Sequence, residues 1–170
     1  MSKAIFISTD TFKAYTIING NQDDDNLLQW IEVAQDVHIH QYLGTDLYNA
    51  IQEMITDGSI GDGGNASYKE LLDDYIKPAL VRWALVEYLP FASYDINRGG
   101  VLKHNSETAD SVSIEEINSL IEKTRYTAMD YTKLMINYLC NNSSDFPEYS
   151  TNSNGDLSPT RDQNPGGWVM

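Results

Sequence analysis

The chain has 170 residues, which fits a single domain with tails and leaves little room for a second domain. Hydrophobic residues make up 41% and charged residues 21%, so the composition excludes a disordered chain. The 11 Lys and Arg against 25 Asp and Glu give a net charge of -14, which disfavours binding to nucleic acid or to anionic lipid. The longest apolar run, over residues 78–90, is far shorter than the ~20 residues of a membrane span.

Residues 1–20 are predicted to form an N-terminal arm. Their apolar residues suggest short β-prone or extended pieces, and the pair Asn19 and Gly20 is a turn signal. The first ten residues lack the charged start, apolar stretch and cleavage site of a signal peptide, so we expect the chain to fold in a cytoplasm.

Two helices are predicted next. The aspartates at 23–25 suit a helix start, and apolar residues at steps of three and four then continue the pattern to about Tyr42. Gly44 ends this helix, and Thr45 can cap a short second one. The glycine-rich residues 57–65 are predicted to form a loop.

Two further helices complete the pattern. Residues 68–86 predict the most buried helix, with a kink or a fresh helix start at Pro78. Residues 94–102 predict a β-hairpin with glycines at its tip. Ser113 and Glu116 form a capping box at the start of a long final helix.

The predicted fold class is therefore mainly α: a bundle of about four helices with a β-hairpin and extended N- and C-terminal arms. The domain boundaries are an arm over 1–20, a helical domain over 21–140 and a polar tail over 141–170. Because the tail has three prolines and few apolar anchors, we expect it to be mobile or ordered by a partner.

The sequence offers little catalytic chemistry. His38 and His40 are two residues apart on a helix and should face different ways, so they are poor joint metal ligands. The loop at 57–65 lacks the calcium-binding EF-hand spacing, and Asp73 and Asp74 diverge on a helix. One cysteine excludes a disulfide framework, and no phosphate-loop, serine-hydrolase or zinc-protease motif occurs. We predict no enzyme, no cofactor and no metal site.

The acidic residues are unevenly spread. Between Lys13 and Lys69 there are nine acids and no Lys or Arg, so one face or edge should carry a concentrated negative field. The candidate residues of this acidic surface are Asp23, Asp24, Asp25, Glu32, Asp36, Asp46 and Glu53.

A second set of candidates lies in the two arms and the hairpin. Aromatic residues in segments too short to bury them predict contacts with other protein chains. The set consists of Phe12, Tyr15, Phe146, Tyr149 and Trp168 in the arms, and Arg98, Gly99, Gly100 and Val101 at the hairpin tip.

Two segments carry a family resemblance. The helix from Leu28 to Tyr48, which ends I-E-V-A-Q-D-V-H-I-H-Q-Y-L-G-T-D-L-Y, resembles the first helices of tailed-phage head-tail connector proteins, also called adaptor or head-completion proteins. The similarity extends through Y-K-E-L-L-D-D-Y-I-K-P-A-L-V-R-W-A-L-V-E-Y-L-P at 68–90, the hairpin, the final helix and the tail. The chain looks most like the connector proteins of crAss-like phages of Bacteroidetes.

The resemblance implies a structural virion protein at the head-tail junction, assembled in the host cytoplasm. It implies a homo-oligomeric, dodecameric ring that binds the portal protein and other head-tail or tail proteins, and that continues the DNA channel from capsid to tail. DNA would pass without specific binding, and no membrane would be involved. The acidic residues would face the channel, because a wall of carboxylates repels the duplex and lets it slide.

Two other hypotheses remain open at the sequence level. An acidic protein that mimics DNA could inhibit a host nuclease or DNA-binding protein, and its binding would depend strongly on salt. A small enzyme or metal-binding module built on Asp, His and Tyr is the third hypothesis, which metal analysis of the purified protein would test.

Overall fold

The computed structural model describes residues 3–16, 18, 23–92, 94–97, 100–103, 113–153 and 155–162. Most residues of this part of the chain are helical, which confirms the prediction of a mainly α fold. None of the helices among these residues is long and apolar enough to cross a membrane.

The N-terminal residues form a short helix, α1 (Thr9–Ala14), where extended or β-prone backbone was expected. The Ser8 side chain caps this helix by accepting a hydrogen bond from the Thr11 N–H at 3.1 Å. Phe12 is fully buried, and Phe6 also lies in the core. The prediction was wrong here because six residues are too few for a helical period to show.

A helix with one irregular turn follows. It consists of α2 (Asp24–Ala34), a π-helical turn (Gln35–Ile39) and α3 (His40–Leu43), and it ends at Gly44 as predicted. Gly44 has a φ of 74°, a conformation that glycine adopts without steric cost.

Helix α4 (Thr45–Thr56) starts directly after Gly44. The prediction that Thr45 caps this helix is wrong: its hydroxyl lies 3.0 Å from Nε2 of His40 and makes no capping hydrogen bond. The glycine-rich stretch after α4 contains two short 3-10 turns, Ser59–Gly61 and Gly63–Asn65.

The central helix also contains a π-helical segment. It consists of α5 (Ala66–Glu70), the π segment (Leu71–Ile76) and α6 (Lys77–Tyr88), and a 3-10 turn (Leu89–Phe91) follows. Pro78 lies in the first turn of α6, so the irregular segment sits where the missing proline N–H would interrupt a regular helix. Buried residues lie on all sides of α6, as the sequence predicted.

Two short strands come next, β1 (Tyr94–Asn97) and β2 (Gly100–Lys103). They pair antiparallel, with Tyr94 opposite Lys103 and Asn97 opposite Gly100. Two of the residues predicted to contact a partner, Arg98 and Gly99, lie outside the described residues.

The last helix, α7 (Ile114–Asn141), is the longest in the described chain, and its predicted capping box is confirmed. The Ser113 Oγ accepts the Glu116 N–H at 3.2 Å, and Glu116 Oε2 accepts the Ser113 N–H at 2.9 Å. Helix α6 packs against α2 and against α7, so it forms the middle of the bundle.

Residues 142–162 fold back onto the bundle, which corrects, for the described part of the tail, the expectation that it is mobile or ordered by a partner. Phe146 and Tyr149 are buried around a 3-10 turn (Pro147–Ser150). The carbonyl of Leu157 then accepts the N–H of Thr45 at 2.9 Å. Two large aromatic anchors and backbone hydrogen bonds fix this segment, although its composition is polar.

Candidate interaction surfaces

The predicted acidic surface is partly neutralised by the N-terminal segment. Lys13 pairs with Asp24 at 2.6 Å, and Lys3 pairs with Asp36 at 2.5 Å. The hydrogen bond from Lys13 is the main cause that lowers the pKa of the Asp24 carboxyl below its ordinary value. The stretch between Lys13 and Lys69 contains no Lys or Arg, but Lys3 and Lys13 pair with two of its carboxylates.

Asp36 and Asp46 each hold another part of the chain. The Tyr48 hydroxyl donates to Asp36 at 3.1 Å, and burial raises the pKa of Tyr48 to about 12, so this hydroxyl keeps its proton. Asp46 accepts hydrogen bonds from the Thr151 hydroxyl at 2.6 Å and the Ser153 N–H at 2.9 Å. The bond from Thr151 is the first cause that lowers the pKa of Asp46. Asp46 therefore anchors the C-terminal segment.

The remaining acidic candidates are exposed. Asp23 caps α2 by accepting the Asp25 N–H at 3.2 Å. Asp25, Glu32 and Glu53 make no ion pair within the described ranges. Internal contacts therefore engage Asp24, Asp36 and Asp46 among the seven acidic candidates, and whether the seven face a channel stays a prediction.

The two histidines lie in separate environments, as the sequence predicted. His38 stacks on Trp83 with ring centroids 4.0 Å apart, and its Nε2 lies 2.7 Å from Glu87 Oε1. Burial lowers the pKa of His38 and outweighs the opposing hydrogen bond to Glu87. His40 stacks on Tyr48 at 4.3 Å. Within the described ranges no three His, Cys, Asp or Glu side chains come together to hold a metal ion.

Three of the predicted contact residues are core residues instead. Phe12 and Phe146 are fully buried, and Tyr149 is 1% exposed. Phe146 meets Tyr68 edge to face at 5.2 Å, and the Arg161 guanidinium lies 4.9 Å from the centre of the Tyr149 ring. The partners of Phe146 and Tyr149 lie in other parts of the sequence, so the segment around these two residues does not show that they are buried.

The other predicted contact residues within the described ranges are one exposed tyrosine and two residues of β2. Tyr15 is 67% exposed, so it stays available for a contact. Gly100 and Val101 lie in β2, and Trp168 lies outside the described residues.

A cleft of about 440 Å³ lies beside Tyr15, between α1, α6 and α7. The Arg82 Nη1 donates to the Tyr15 carbonyl at 2.7 Å, and its guanidinium lies 5.8 Å from the centre of the Tyr131 ring. At the rim, Asp73 pairs with both Lys69 and Lys77. Arg82 and Asp73 thus already have partners, and Arg82 connects α6 to Tyr15 directly after α1.

Sequence reasoning missed the outer face of α7. Leu120, Tyr126 and Leu134 are 41%, 61% and 54% exposed on a helix whose opposite face is buried. Leu120 and Leu134 lie fourteen residues apart, which is two heptads, and this spacing was the available signal. Charged residues of both signs lie beside them on α7: Lys133 is 3.7 Å from Asp130, and Arg125 is 3.6 Å from Glu122.

A smaller exposed apolar patch spans the end of α2 and the π-helical turn that follows it. Val33 and Val37 are 38% and 55% exposed, one helical turn apart. The bundle thus presents two groups of exposed apolar side chains on its helices.

Comparison with known proteins gives one match. A family model matches residues 39–158, which is more than two thirds of the chain, and it describes a family of unknown function, DUF6712. The matched part runs from the end of the first π-helical turn through α7 into the C-terminal segment. No curated protein and no solved structure matches the chain.

Proposed function

We propose that this chain, which belongs to DUF6712, is a structural subunit of a ring at the head-tail junction of a tailed-phage virion. The ring would connect the capsid to the tail and continue the DNA channel. The resemblance of residues 28–48 and 68–90 to connector proteins supports this proposal. The observation that carries it is the exposed apolar outer face of α7.

The outer face of α7 is a long and rigid docking surface. From Leu120 to Leu134 it spans about 21 Å, at about 1.5 Å per residue. Single exposed apolar side chains are ordinary, whereas a group of three within two heptads of one helix favours contact with another protein. The inner face is fixed to the bundle because the Trp83 Nε1 donates to the Thr132 hydroxyl at 2.9 Å.

The contacts made by the candidate catalytic groups favour a role in binding. His38 and His40 are held by separate partners, and Asp73 is engaged by two lysines. A general acid and base need to converge on one open site, and none of these groups faces another across the cleft at Tyr15. A subunit that works through its surfaces needs no such site.

The acidity suits a passage for DNA. The net charge of -14 disfavours adhesion to phosphate, and Glu53 and the acids of the following loop, Asp57 and Asp62, remain exposed. The paired strands β1 and β2 are proposed as a hairpin that contacts a neighbouring subunit or the portal.

The main competing function is mimicry of DNA, and the internal contacts disfavour it. A mimic needs an array of free carboxylates to stand in for phosphates. Asp24, Asp36 and Asp46 instead bind lysines, a tyrosine and the C-terminal segment of the same chain.

Electron microscopy of the purified chain, alone and mixed with the portal protein of the same phage, tests the proposal. We expect rings that dock on the portal. Tyr126→Glu should abolish them, whereas Asn118→Glu, which adds the same charge at an exposed position off the outer face of α7, should leave them intact. A chain that forms no ring with or without the portal would contradict the proposal, and so would capture of a basic nuclease by the monomer.

A further inference from the structure

We propose that the last three residues of the chain, 168–170, dock on an apolar patch of their own copy. The patch consists of Trp30, Val33, Val37 and Phe91, and it is called the α2 patch below. The contact lies within one copy, so it goes beyond the proposed ring and does not require it.

The α2 patch follows one side of α2 and the π-helical turn after it. Val33 and Val37 are exposed and lie one turn apart. Trp30 lies three residues before Val33, and its ring stacks on Phe91 with the ring centroids 4.6 Å apart. Phe91 is itself 47% exposed, so the patch includes an aromatic pair that is open on one side. Four neighbouring apolar side chains exceed the scattered single residues that are ordinary on a protein surface.

The C-terminal segment runs toward this patch. The Leu157 carbonyl accepts the Thr45 N–H at 2.9 Å, and the Thr160 N–H then donates to the Gln41 carbonyl at 2.8 Å. As the segment advances from 157 to 160, its partners therefore move back from 45 to 41, toward the start of the helix. Val37 lies one turn further in the same direction.

Eight residues follow Asp162, and they are long enough for the contact. From Gln41 back to Trp30 the helix spans about 16 Å, at about 1.5 Å per residue. From Thr160 to Trp168 an extended chain spans up to about 26 Å, at about 3.3 Å per residue. The terminal tryptophan can therefore reach every part of the α2 patch from the point where its own chain is held.

The composition of the terminal residues matches an apolar patch. Residues 163–167 are polar residues, proline and glycine, whereas residues 168–170 are tryptophan, valine and methionine. A tryptophan buries about 150–250 Å² of surface, and it stacks favourably on other aromatic rings. The open pair of Trp30 and Phe91 offers such a ring beside the two valines.

The tether favours the patch of the same copy over that of a second copy. A short flexible link gives an effective concentration on the order of millimolar, which exceeds the concentration of other copies in a dilute solution. A partner protein that binds the α2 patch would then have to displace residues 168–170 first.

Nuclear Overhauser effects test the contact in the 170-residue chain, at a concentration at which it is monomeric. We expect cross-peaks between the ring protons of Trp168 and the methyl groups of Val33 or Val37. Trp168→Ser identifies the Trp168 signals by their loss. Cross-peaks that appear only between labelled and unlabelled chains, in a concentrated mixture, would place the contact between copies and overturn the inference. Contacts of Trp168 with Leu134 of α7 would also overturn it, and so would the absence of any contact.

Digestion with a carboxypeptidase gives an independent test, because a docked terminus is cleaved slowly. Val37→Glu places a charge in the α2 patch and should speed the release of Met170 severalfold. Leu134→Glu is the matched control, since Leu134 is 54% exposed against 55% for Val37 but lies on α7, and it should leave the rate unchanged. Circular dichroism checks the folding of each variant, and Val33→Glu replaces Val37→Glu if the latter does not fold.

Equal rates of release in the wild type and the folded patch variant would overturn the inference. Neither measurement requires rings, so such a failure would leave the proposed function standing.

Discussion

The Cα of Gly44 lies against the ring of Pro159, so closely that a Cβ at Gly44 would come within 2.7 Å of the proline Cδ and Cγ. Two features of this position require glycine. Its φ of 74° turns the chain from α3 into α4, and its missing side chain admits the C-terminal segment. The neighbouring hydrogen bond from the Thr45 N–H to the Leu157 carbonyl fixes the same contact.

Gly44→Ala should therefore destabilise the protein and release the C-terminal segment. The backbone of Gly44, with φ 74° and ψ 160°, lies in a region that almost only glycine adopts, which costs about 1–3 kcal/mol for a residue with a side chain, and the clash with Pro159 adds to this cost. Chemical denaturation would measure the free energy of unfolding, and limited proteolysis would report release of the segment. Gly58→Ala is the comparison variant, since Gly58 also has a positive φ of 80°, in the left-handed region with ψ of 4°, but has nothing within 4 Å of its Cβ position. Equal effects of the two variants would show that the contact with Pro159 contributes nothing.

Gln35→Ala should detach the N-terminal segment. The buried Gln35 side chain accepts the Phe6 N–H at 2.8 Å and donates to the Ala4 carbonyl at 2.9 Å. Removing the amide leaves a buried backbone group without its partner, which costs about 1–3 kcal/mol. Hydrogen exchange at Phe6 and the free energy of unfolding would show the loss. Gln29→Ala, at an exposed position of α2, should change neither quantity, and an unchanged Gln35→Ala would contradict the prediction.

The long helices could be predicted because their signals are local. The capping box at Ser113 and the apolar period after it define α7 without reference to the rest of the chain. The same holds for α6, whose apolar residues on all sides mark the central helix, and for Gly44 as a helix end. In each case the residues that decide the structure lie within one or two helical turns of each other.

The errors concern contacts between distant parts of the chain. Phe146 looked exposed because its own segment is polar, and its partner Tyr68 is 78 residues away. The π-helical turn at Gln35 was not visible either, and the Gln35 side chain binds the backbone of Ala4 and Phe6, which lie about 30 residues earlier in the chain. Likewise, Asp46 appeared free for a channel, although it binds Thr151 across the fold. Local pattern predicts elements, whereas burial and pairing depend on the tertiary structure.

Phe146→Ala tests whether the C-terminal segment belongs to the folded core. Phe146 is fully buried and contacts the rings of Tyr68 and Tyr138 at 5.2 and 5.9 Å. Truncating a buried phenylalanine costs about 3–5 kcal/mol, so a large drop in the free energy of unfolding is expected. Leu157→Ala, in the same segment but 46% exposed, should cost much less. If Phe146 served only a partner protein, its truncation would leave the stability of the isolated chain unchanged.

The stability should also fall as the pH is lowered from 7 to 5, and His38 should account for part of this fall. Burial lowers the pKa of His38 in the folded protein, so the unfolded chain takes up a proton at the ordinary value near 6.5 while the folded chain resists it. The contribution of His38 is therefore complete above that value and is lost as the pH falls below it. The carboxyls of Asp24, Asp46 and Asp73, whose pKa values are also lowered, lose their contribution only at more acidic pH, below about 4.

Between pH 7 and 5 the change in the free energy of unfolding thus reports the titration of histidine. Two variants separate the contributions of His38 and His40. His38→Gln keeps a polar group beside Glu87 but cannot titrate, so the free energy of unfolding should depend less on pH in this window than in the wild type. Burial also lowers the pKa of His40, so His40→Gln should remove a separate part of the slope and leave that of His38 in place. Denaturant unfolding at pH 5, 6, 7 and 8 measures both slopes. An unchanged slope in His38→Gln would mean that His38 charges as readily when folded as when unfolded, and that its stacking on Trp83 does not exclude the proton.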